Sequence, residues 1–136
     1  MNCFNVLDKT RNSSITINLS NKTCACIGWW DNRSLKYKTY YKNENKWPMF
    51  NCELHGTYSV WYSDGQLKEK SYYMNGGLHG ERLVYYYTGQ LMEKSHWKNG
   101  NLHGKYLWYH DNGQLWKKSY WNNGEEITEE EYNELF

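Results

Sequence analysis

The chain has few of the residues that normally fill a hydrophobic core. Among its 136 residues Phe occurs 3 times, Val and Ile are scarce, and the mean hydropathy is −1.02. The apolar mass lies instead in 14 Tyr and 8 Trp, which bring the aromatic share to 18%. Because these rings are amphipathic, they suit an open, partly hydrated sheet better than a dry interior.

Neither sign of charge is in excess. Lys and Arg number 16 and Asp and Glu number 15, which gives a formal net charge of +1 at pH 7. Non-specific nucleic-acid binding needs a clear basic excess. We therefore expect no nucleic-acid partner, and electrostatics alone selects no other partner.

Long apolar runs are also missing. No stretch approaches the roughly 18 to 20 apolar residues that cross a bilayer. The first residues, MNCFNVLDKTRNSS, lack the basic and then apolar segments of a signal peptide. We expect a cytoplasmic protein, in the host cytoplasm if its source is viral. Four cysteines are then expected to be reduced thiols: Cys3, Cys24, Cys26 and Cys52.

A period of 24 residues organises most of the chain. The tetrapeptides ELHG, GLHG and NLHG end at Gly56, Gly80 and Gly104, and the tripeptide GQL recurs at the same spacing. An irregular unit precedes the three full ones, since WWDNRSLKYKTYYKN matches WYSDGQLKEKSYYMN at a longer offset. Terminal repeats are commonly irregular because they cap a stack. We predict units at 28–50, 51–74, 75–98 and 99–124.

Each unit contains two runs rich in Tyr, Trp, Val and Leu, separated by glycine turns, which is typical of consecutive β-hairpins. The turns alternate between DG, TG or NG, which favour two-residue turns although a count of three residues stays open, and the longer NG-x-L-H-G. The His-Gly loops should then line one edge of the sheet. The predicted fold is all-β: an elongated, single-layer antiparallel meander of hairpin repeats.

Both ends of the chain differ from the repeats. The alternating SITINLS (Ser14 to Ser20) predicts a strand within an N-terminal cap segment, 1–27. The end, ITEEEYNELF, predicts a capping helix within 125–136, with Thr128 as N-cap and Glu131 completing a capping box. We expect this helix to cover the last strand, which would otherwise present an unpaired edge.

The unit HWKNGNLHGKYLWYHDNGQL resembles the MORN repeat, in the variant form of bacterial antitoxin-like proteins and giant-virus proteins. The resemblance rests on six residues that recur in the preceding unit: Trp97, Asn99, Gly100, Gly104, Tyr109 and Gly113, repeated as Tyr73, Asn75, Gly76, Gly80, Tyr85 and Gly89. It covers roughly residues 29–124. It implies a meander that serves as a scaffold or binding surface. In some relatives the partner is a neutralised toxin, and phospholipid contact has been proposed for the family.

Histidines and cysteines are the candidates for a metal site. Equivalent histidines in neighbouring repeats should lie roughly 9 to 10 Å apart, too far to share a zinc ion. We therefore expect His55, His79 and His103 to order the turns, or else to tune partner binding with pH. A weak metal candidate combines Cys24, Cys26, Cys52 and His55, although free thiols are the better interpretation. We expect no cofactor.

Catalysis is not expected. Ser71, Ser95 and Ser119 recur in EKS, EKS and KKS, so that repetition supplies the same group three times. An active site needs different groups that converge. We assign no catalytic residue and predict a protein that is not an enzyme.

Positions that differ between repeats are the candidates for partner binding. Rings shared by every full unit, at Trp61, Tyr85 and Tyr109 and at Tyr73, Trp97 and Trp121, should form the packed ladder together with Leu67, Leu91 and Leu115. The varied positions are Lys68, Met92 and Trp116; Tyr72, His96 and Tyr120; and Arg82 and Trp108. By strand alternation, positions 68 and 72 should share a face. A stripe of rings and cations is typical of protein-binding hot spots, although the half-hydrated side of a thin sheet would look similar.

We therefore hypothesise a repeat scaffold that binds a protein partner along an aromatic face. An antitoxin or immunity protein is the more specific alternative. A lipid- or carbohydrate-binding module is the second, because Trp and Tyr rings stack on sugars and lie at lipid headgroups. A homodimer is compatible with each of these functions.

Overall fold

A computed structural model of the chain describes residues 5–6, 14–20, 23–42 and 53–136. Within these ranges, thirteen strands form one open antiparallel sheet that follows chain order. The strands are β1 (Asn5–Val6), β2 (Ser14–Ser20), β3 (Thr23–Trp29), β4 (Leu35–Lys42), β5 (Glu53–Leu54), β6 (Gly56–Trp61), β7 (Leu67–Met74), β8 (Gly77–Leu78), β9 (Gly80–Tyr85), β10 (Leu91–Lys98), β11 (Asn101–Tyr109), β12 (Leu115–Asn122) and β13 (Glu125–Ile127). The predicted meander of hairpin repeats is confirmed.

The turns that contain Gly65, Gly89 and Gly113 have three residues, the longer of the two lengths that the sequence left open. The Gly65 N–H donates to the Tyr62 carbonyl, and the Tyr62 N–H donates to the Gln66 carbonyl. Gly65 has a φ of 93°, as a three-residue hairpin loop with a glycine bulge requires. The irregular unit makes the same bonds at Trp30 and Arg33, so that Arg33 adopts a φ of 67° where other units have glycine.

The Asn-Gly turns at the opposite edge of the sheet are the two-residue turns. Met74 pairs with Gly77, and the two residues between them, Asn75 and Gly76, have φ of 49° and 78°. Two consecutive positive φ angles define a type I′ turn, whose twist matches that of the flanking strands. Asn and Gly are the residues that tolerate this conformation.

The Leu-His-Gly segment follows the Asn-Gly turn, and the prediction that it belongs to the turn itself is wrong. In the last full repeat it lies inside β11, whereas His55 and His79 each lie between two short strands. Trp97 pairs with Leu102 and Ser95 pairs with Tyr106, so β11 has two more residues than β10 across this step. The extra residues are His103 and Gly104, and Gly104 has a φ of 119°. His-Gly therefore marks a bulge that lets each strand bend as it leaves its turn.

A second bulge changes which face the variable side chains occupy. Val60 pairs with Glu69 and Trp61 pairs with Leu67, which leaves Lys68 without a cross-strand partner. The same register shift makes three other residues the extra residue of a bulge, namely Lys36, Met92 and Trp116. An extra residue in one strand breaks the simple alternation of side chains.

The two faces of the sheet can be defined by cross-strand pairs. The serine face carries Ser71, Ser95 and Ser119, their cross-strand partners and the residues two positions along the same strands: Tyr58, Arg82, Tyr106, Glu69, Glu93, Lys117, Tyr73, Trp97 and Trp121. The helix face carries three repeating sets: Thr57, Glu81 and Lys105; Lys70, Lys94 and Lys118; and Tyr72, His96 and Tyr120. The three serines of the first face are buried. Rings and charged side chains on the neighbouring positions cover these small residues, which makes the serine face the main buried side.

The helix α1 (Glu129–Leu135) closes the described structure on the helix face. Thr128 accepts the Glu131 N–H, and the Glu131 carboxylate accepts the Thr128 N–H, so the predicted capping box is formed. Three glutamates in the first turn suit the positive end of the helix dipole. Within the described ranges, no helix has the length and apolar character needed to span a membrane.

Candidate interaction surfaces

An ion-pair network occupies the middle of the serine face. The Arg82 Nε donates to Glu69 Oε1 at 2.9 Å, and the Arg82 Nη1 donates to Glu93 Oε1 at 2.7 Å. Burial lowers the pKa of Arg82, but hydrogen bonds and charge from both glutamates outweigh it, so the pKa is raised overall. One guanidinium therefore joins two carboxylates from neighbouring repeats.

Serine hydroxyls extend this network to the tryptophans. The Ser95 Oγ donates to Glu93 Oε1 at 2.8 Å and accepts the Trp97 indole N–H at 2.8 Å. The next repeat keeps the second of these bonds, from Trp121 to Ser119, at 2.9 Å. Burial first, and the neighbouring Glu69 second, raise the pKa of Tyr58 on the same face. The recurring serines are thus hydrogen-bonded structural groups.

Half-buried and exposed rings gather on the serine face of the last hairpin, and we call this group the tryptophan cluster: Tyr106, Trp108, His110 and Trp116. The Trp116 ring lies 6.1 Å from both the Trp108 and His110 rings, and Trp108 stacks on Tyr106 at 6.3 Å. Trp116 is 61% exposed and its neighbour Leu115 is 50% exposed. The strand β13 pairs only with Tyr120 to Asn122, so within the described residues this half of β12 is an open sheet edge.

The helix α1 has a defined seat on the opposite face of β12. The Lys118 Nζ donates to Glu129 Oε1 at 2.8 Å, and the Tyr120 hydroxyl donates to the same oxygen. The Tyr132 ring packs on Tyr120 at 4.7 Å, and the Lys105 Nζ lies 5.4 Å from the centre of the Tyr132 ring. The hydrogen bond from Lys118, followed by that from Tyr120, lowers the pKa of Glu129, and the pKa of Lys118 is raised in turn.

In the two preceding repeats, the residues equivalent to Lys118 and Tyr120 have different contacts. In the middle repeat, the Lys94 Nζ lies 2.6 Å from Glu81 Oε2, and the His96 Nε2 lies 4.0 Å from the same oxygen. In the first full repeat, a groove of about 250 Å³ opens on the helix face. Its lining residues are Thr57, Lys70, Ser71, Tyr72, Glu81 and Leu83.

Histidines of the Leu-His-Gly segments stabilise the Asn-Gly turn of the next repeat. The Asn75 N–H donates to His55 Nδ1 at 3.4 Å, and the Asn123 N–H donates to His103 Nδ1 at 3.3 Å. Burial, followed by the charge of Lys98, lowers the pKa of His103. In the middle repeat, His79 Nδ1 is buried without a hydrogen-bond partner. The geometry of His55 and His103 fits the expectation that these histidines order turns.

The predicted metal site of Cys24, Cys26, Cys52 and His55 stays a prediction, because Cys52 lies outside the described residues. Cys3 lies outside them as well. Cys24 is buried and its Sγ donates to the Tyr41 carbonyl at 4.0 Å, and the Cys26 Sγ lies 3.8 Å from the Tyr37 hydroxyl. Among the described residues, no three His, Cys, Asp or Glu side chains lie close enough together to hold a metal ion.

Sequence reasoning missed a second set of bonds between repeats, at the edge opposite the Asn-Gly turns. The Tyr62 hydroxyl donates to the Tyr85 carbonyl and the Tyr86 hydroxyl donates to the Tyr109 carbonyl, both at 2.8 Å. In the irregular unit, the Trp30 indole N–H donates to the Trp61 carbonyl at 3.2 Å. The sequence feature that could have revealed these bonds is a polar aromatic residue directly after the first long strand of each unit. His110 occupies this position in the last unit.

The predicted binding residues do not form one stripe, and the prediction that positions 68 and 72 share a face is wrong. Because of the bulge, Trp116 contacts Trp108 on the serine face, whereas Tyr120 lies under α1 on the helix face. The structure brings Trp108 and Trp116 together and engages Arg82 with Glu69 and Glu93. The other candidates lie apart from the tryptophan cluster: Lys68 and Met92 at the bulges, and Tyr72 and His96 on the helix face.

Comparison with known families gives one match. The family model described as MORN repeat variant matches three consecutive segments, 54–75, 78–99 and 102–124. No curated protein and no solved structure matches the chain.

Proposed function

Because the chain belongs to the MORN repeat variant family, we propose that it is a non-enzymatic scaffold that binds a protein partner through the tryptophan cluster. MORN repeats are generally protein- or membrane-interaction repeats of a non-catalytic type. This chain departs from a uniform repeat ribbon at the end of its last full hairpin, where Trp116 stands in place of Lys68 and Met92 of the earlier units. Trp108 stands where those units have Val60 and Val84.

The exposure of Trp116 carries this proposal. A large apolar side chain that is 61% exposed, beside Leu115 and Trp108, forms the kind of patch that marks an interaction site. Tryptophan is also the residue type most enriched at interface hot spots. The open edge of β12 next to the rings offers unpaired backbone groups to a partner strand.

The chemistry of the serine face supports the non-enzymatic part of the proposal. Its recurring carboxylates and hydroxyls bind one another, as Glu93, Ser95 and Trp97 do, within a buried row. Groups held in this way already have hydrogen-bond partners within the sheet. Stabilising the sheet is therefore the role we assign to them.

Comparison of two single variants tests the surface. Trp116→Ser should abolish capture of the native partner, measured by affinity purification with mass spectrometry and then by titration with the identified protein. Tyr87→Ser is the matched control, because Tyr87 is 56% exposed but lies outside the cluster. Circular dichroism should show the same sheet signal for both. Equal capture by Trp116→Ser and Tyr87→Ser would overturn the proposal.

The identity of the partner decides between the finer functions. A partner that arrests growth, with growth restored on co-expression, would make the protein an antitoxin. Binding to liposomes or to a glycan array that depends on Trp116, with no protein partner, would replace protein binding by lipid or carbohydrate binding.

A further inference from the structure

The seat of α1 shows what the helix face of a repeat recognises. Lys118 and Tyr120 hold one carboxylate, and the Tyr120 ring supports an aromatic ring that lies three residues later on the helix. Residues three apart lie on the same side of a helix. The sequence read by this seat is therefore Glu-x-x-Tyr, here Glu129 and Tyr132.

The same seat exists two repeats upstream, in the first full repeat. Lys70 and Tyr72 stand where the last repeat has Lys118 and Tyr120, and Tyr72 pairs with Thr57 as Tyr120 pairs with Lys105. The groove of about 250 Å³ lies over these residues. Tyr72 is 38% exposed, whereas Tyr120 under α1 is 6% exposed. No described part of the chain fills this upstream seat.

The repeat between them supplies its own carboxylate. Glu81, across from His96, forms the ion pair with Lys94. The corresponding position is Thr57 in the first full repeat and Lys105 in the last, and neither residue can replace a carboxylate. The last repeat obtains its acid from Glu129. Within the described residues, Lys70 forms no ion pair.

We propose that the Lys70–Tyr72 groove is a second docking site, which takes an acidic, aromatic-bearing helix of a partner protein through a Glu-x-x-Tyr pattern. The inference rests on the protein-binding role proposed above but uses the opposite face of the sheet. Charge complementarity supports it, because the Glu81 carboxylate that also lines the groove is held by Lys94, whereas Lys70 has no ion pair within the described residues and lies beside the exposed Tyr72.

The helix α1 of a second copy is not the occupant that the chemistry favours. Its own seat presents two lysines, Lys105 and Lys118. The upstream groove presents one lysine, Lys70, beside the neutral Thr57, and its wall also contains Glu81. Moving α1 would exchange a doubly cationic seat for a singly cationic one and would expose Tyr120. A partner helix avoids that loss.

A fluorescent peptide of residues 126–136, titrated against the full chain, tests the groove. We expect saturable binding that Lys70→Glu weakens at least tenfold. Lys68→Glu is the matched control, because it makes the same charge change two residues away at the bulge. Thr57→Lys restores the second lysine and should tighten binding about twofold to fivefold. This gain keeps the proposal testable if Lys70→Glu fails to fold.

Three results would overturn the proposal. The first is absence of binding at millimolar peptide, and the second is equal weakening by Lys68→Glu and Lys70→Glu. The third is binding that responds to Lys118→Glu but not to Lys70→Glu, which would show exchange with α1 at the last seat. Trp116→Ser should leave peptide binding unchanged, so failure of the groove and failure of the tryptophan cluster remain distinguishable.

Discussion

The two faces of the sheet treat charged groups in opposite ways. On the serine face, Arg82 joins Glu69 and Glu93 in a network that is largely closed to water. On the helix face, Lys94 and Lys118 reach outward to carboxylates that differ from repeat to repeat. The serine face holds neighbouring repeats together, whereas the helix face changes its covering from one repeat to the next.

This difference shows that variation between repeats has two meanings. Arg82 replaces a tyrosine where two glutamates flank it, so that variation completes a structural network. At one repeating position, the helix face is open beside Thr57, forms its own ion pair at Glu81 and is covered by α1 beside Lys105. Variation on the helix face therefore alters what can dock.

Replacing the shared arginine should have the largest effect on stability. Arg82→Met leaves Glu69 and buried Glu93 without a counter-charge, and removal of one partner from a buried ion pair costs about 3 kcal/mol or more. Urea unfolding measures this loss. The double change Glu69→Gln with Glu93→Gln in the Arg82→Met background should recover part of it. A loss below about 1 kcal/mol would show that the serine face is no more tightly coupled than the helix face.

Removal of the Tyr132 ring should expose Tyr120 and the part of the helix face that α1 covers. Tyr132→Ala deletes the ring that packs on Tyr120, and we expect a loss of about 1 to 2 kcal/mol from the ring pair and its buried area. Hydrogen exchange in β12 should increase near Tyr120. Tyr87→Ala, which removes a ring away from the helix, is the control. Unchanged exchange near Tyr120 would contradict a covering role for α1.

Acidification should weaken the turn edge of the helix face. The pKa of His103 is lowered in the folded protein, so the unfolded chain binds the proton more readily. This stability is present above the ordinary histidine pKa of about 6.5 and is lost as pH falls through the lower folded pKa. Melting temperatures at about pH 7.5 and about pH 5 should show the fall.

The variant His103→Asn tests the assignment of that pH effect. It keeps a hydrogen-bond acceptor near the Asn123 N–H but does not titrate, so the fall between the two pH values should become smaller. The bond itself contributes about 1 kcal/mol or less. A pH dependence identical to that of the native chain would assign the effect to other groups.

The smallest effect on stability is expected at the Lys94–Glu81 ion pair in the middle repeat of the helix face. The side chains of Lys94 and Glu81 are 39% and 40% exposed, and such ion pairs contribute about 0 to 1 kcal/mol. Lys94→Ala should therefore change urea unfolding little. It should also free the Glu81 carboxylate. A loss as large as that of Arg82→Met would remove the contrast between the faces.

The repeat fold and the helix cap could be predicted from the sequence, because both depend on residues that are close together in the chain. The 24-residue repeat predicted the meander, and Thr128 with Glu131 predicted the start of α1. The bulges were not readable. An extra residue at Lys68 or Trp116 depends on how neighbouring strands pair, and it moved Trp116 to the face opposite Tyr120.

The role of Arg82 could have been inferred from charges that vary together. The glutamates at 69 and 93 occur only where an arginine stands between them, and the third repeat has Lys117 beside Tyr106 instead. The groove at Lys70 could not have been inferred in this way. It became recognisable only when α1 was seen to occupy the equivalent position of the last repeat.

The hydrogen bonds described between repeats join consecutive repeats. They run from Tyr62 to Tyr85 at one edge of the sheet and from Gly76 to Leu54 at the other. Such an arrangement can grow. A tandem duplication of one 24-residue unit would bring its own donors and meet acceptors of the same kind, so the ribbon would lengthen without any change at its ends. The distance between the Lys70 groove and the tryptophan cluster is therefore a quantity that gene duplication can adjust in steps of one repeat.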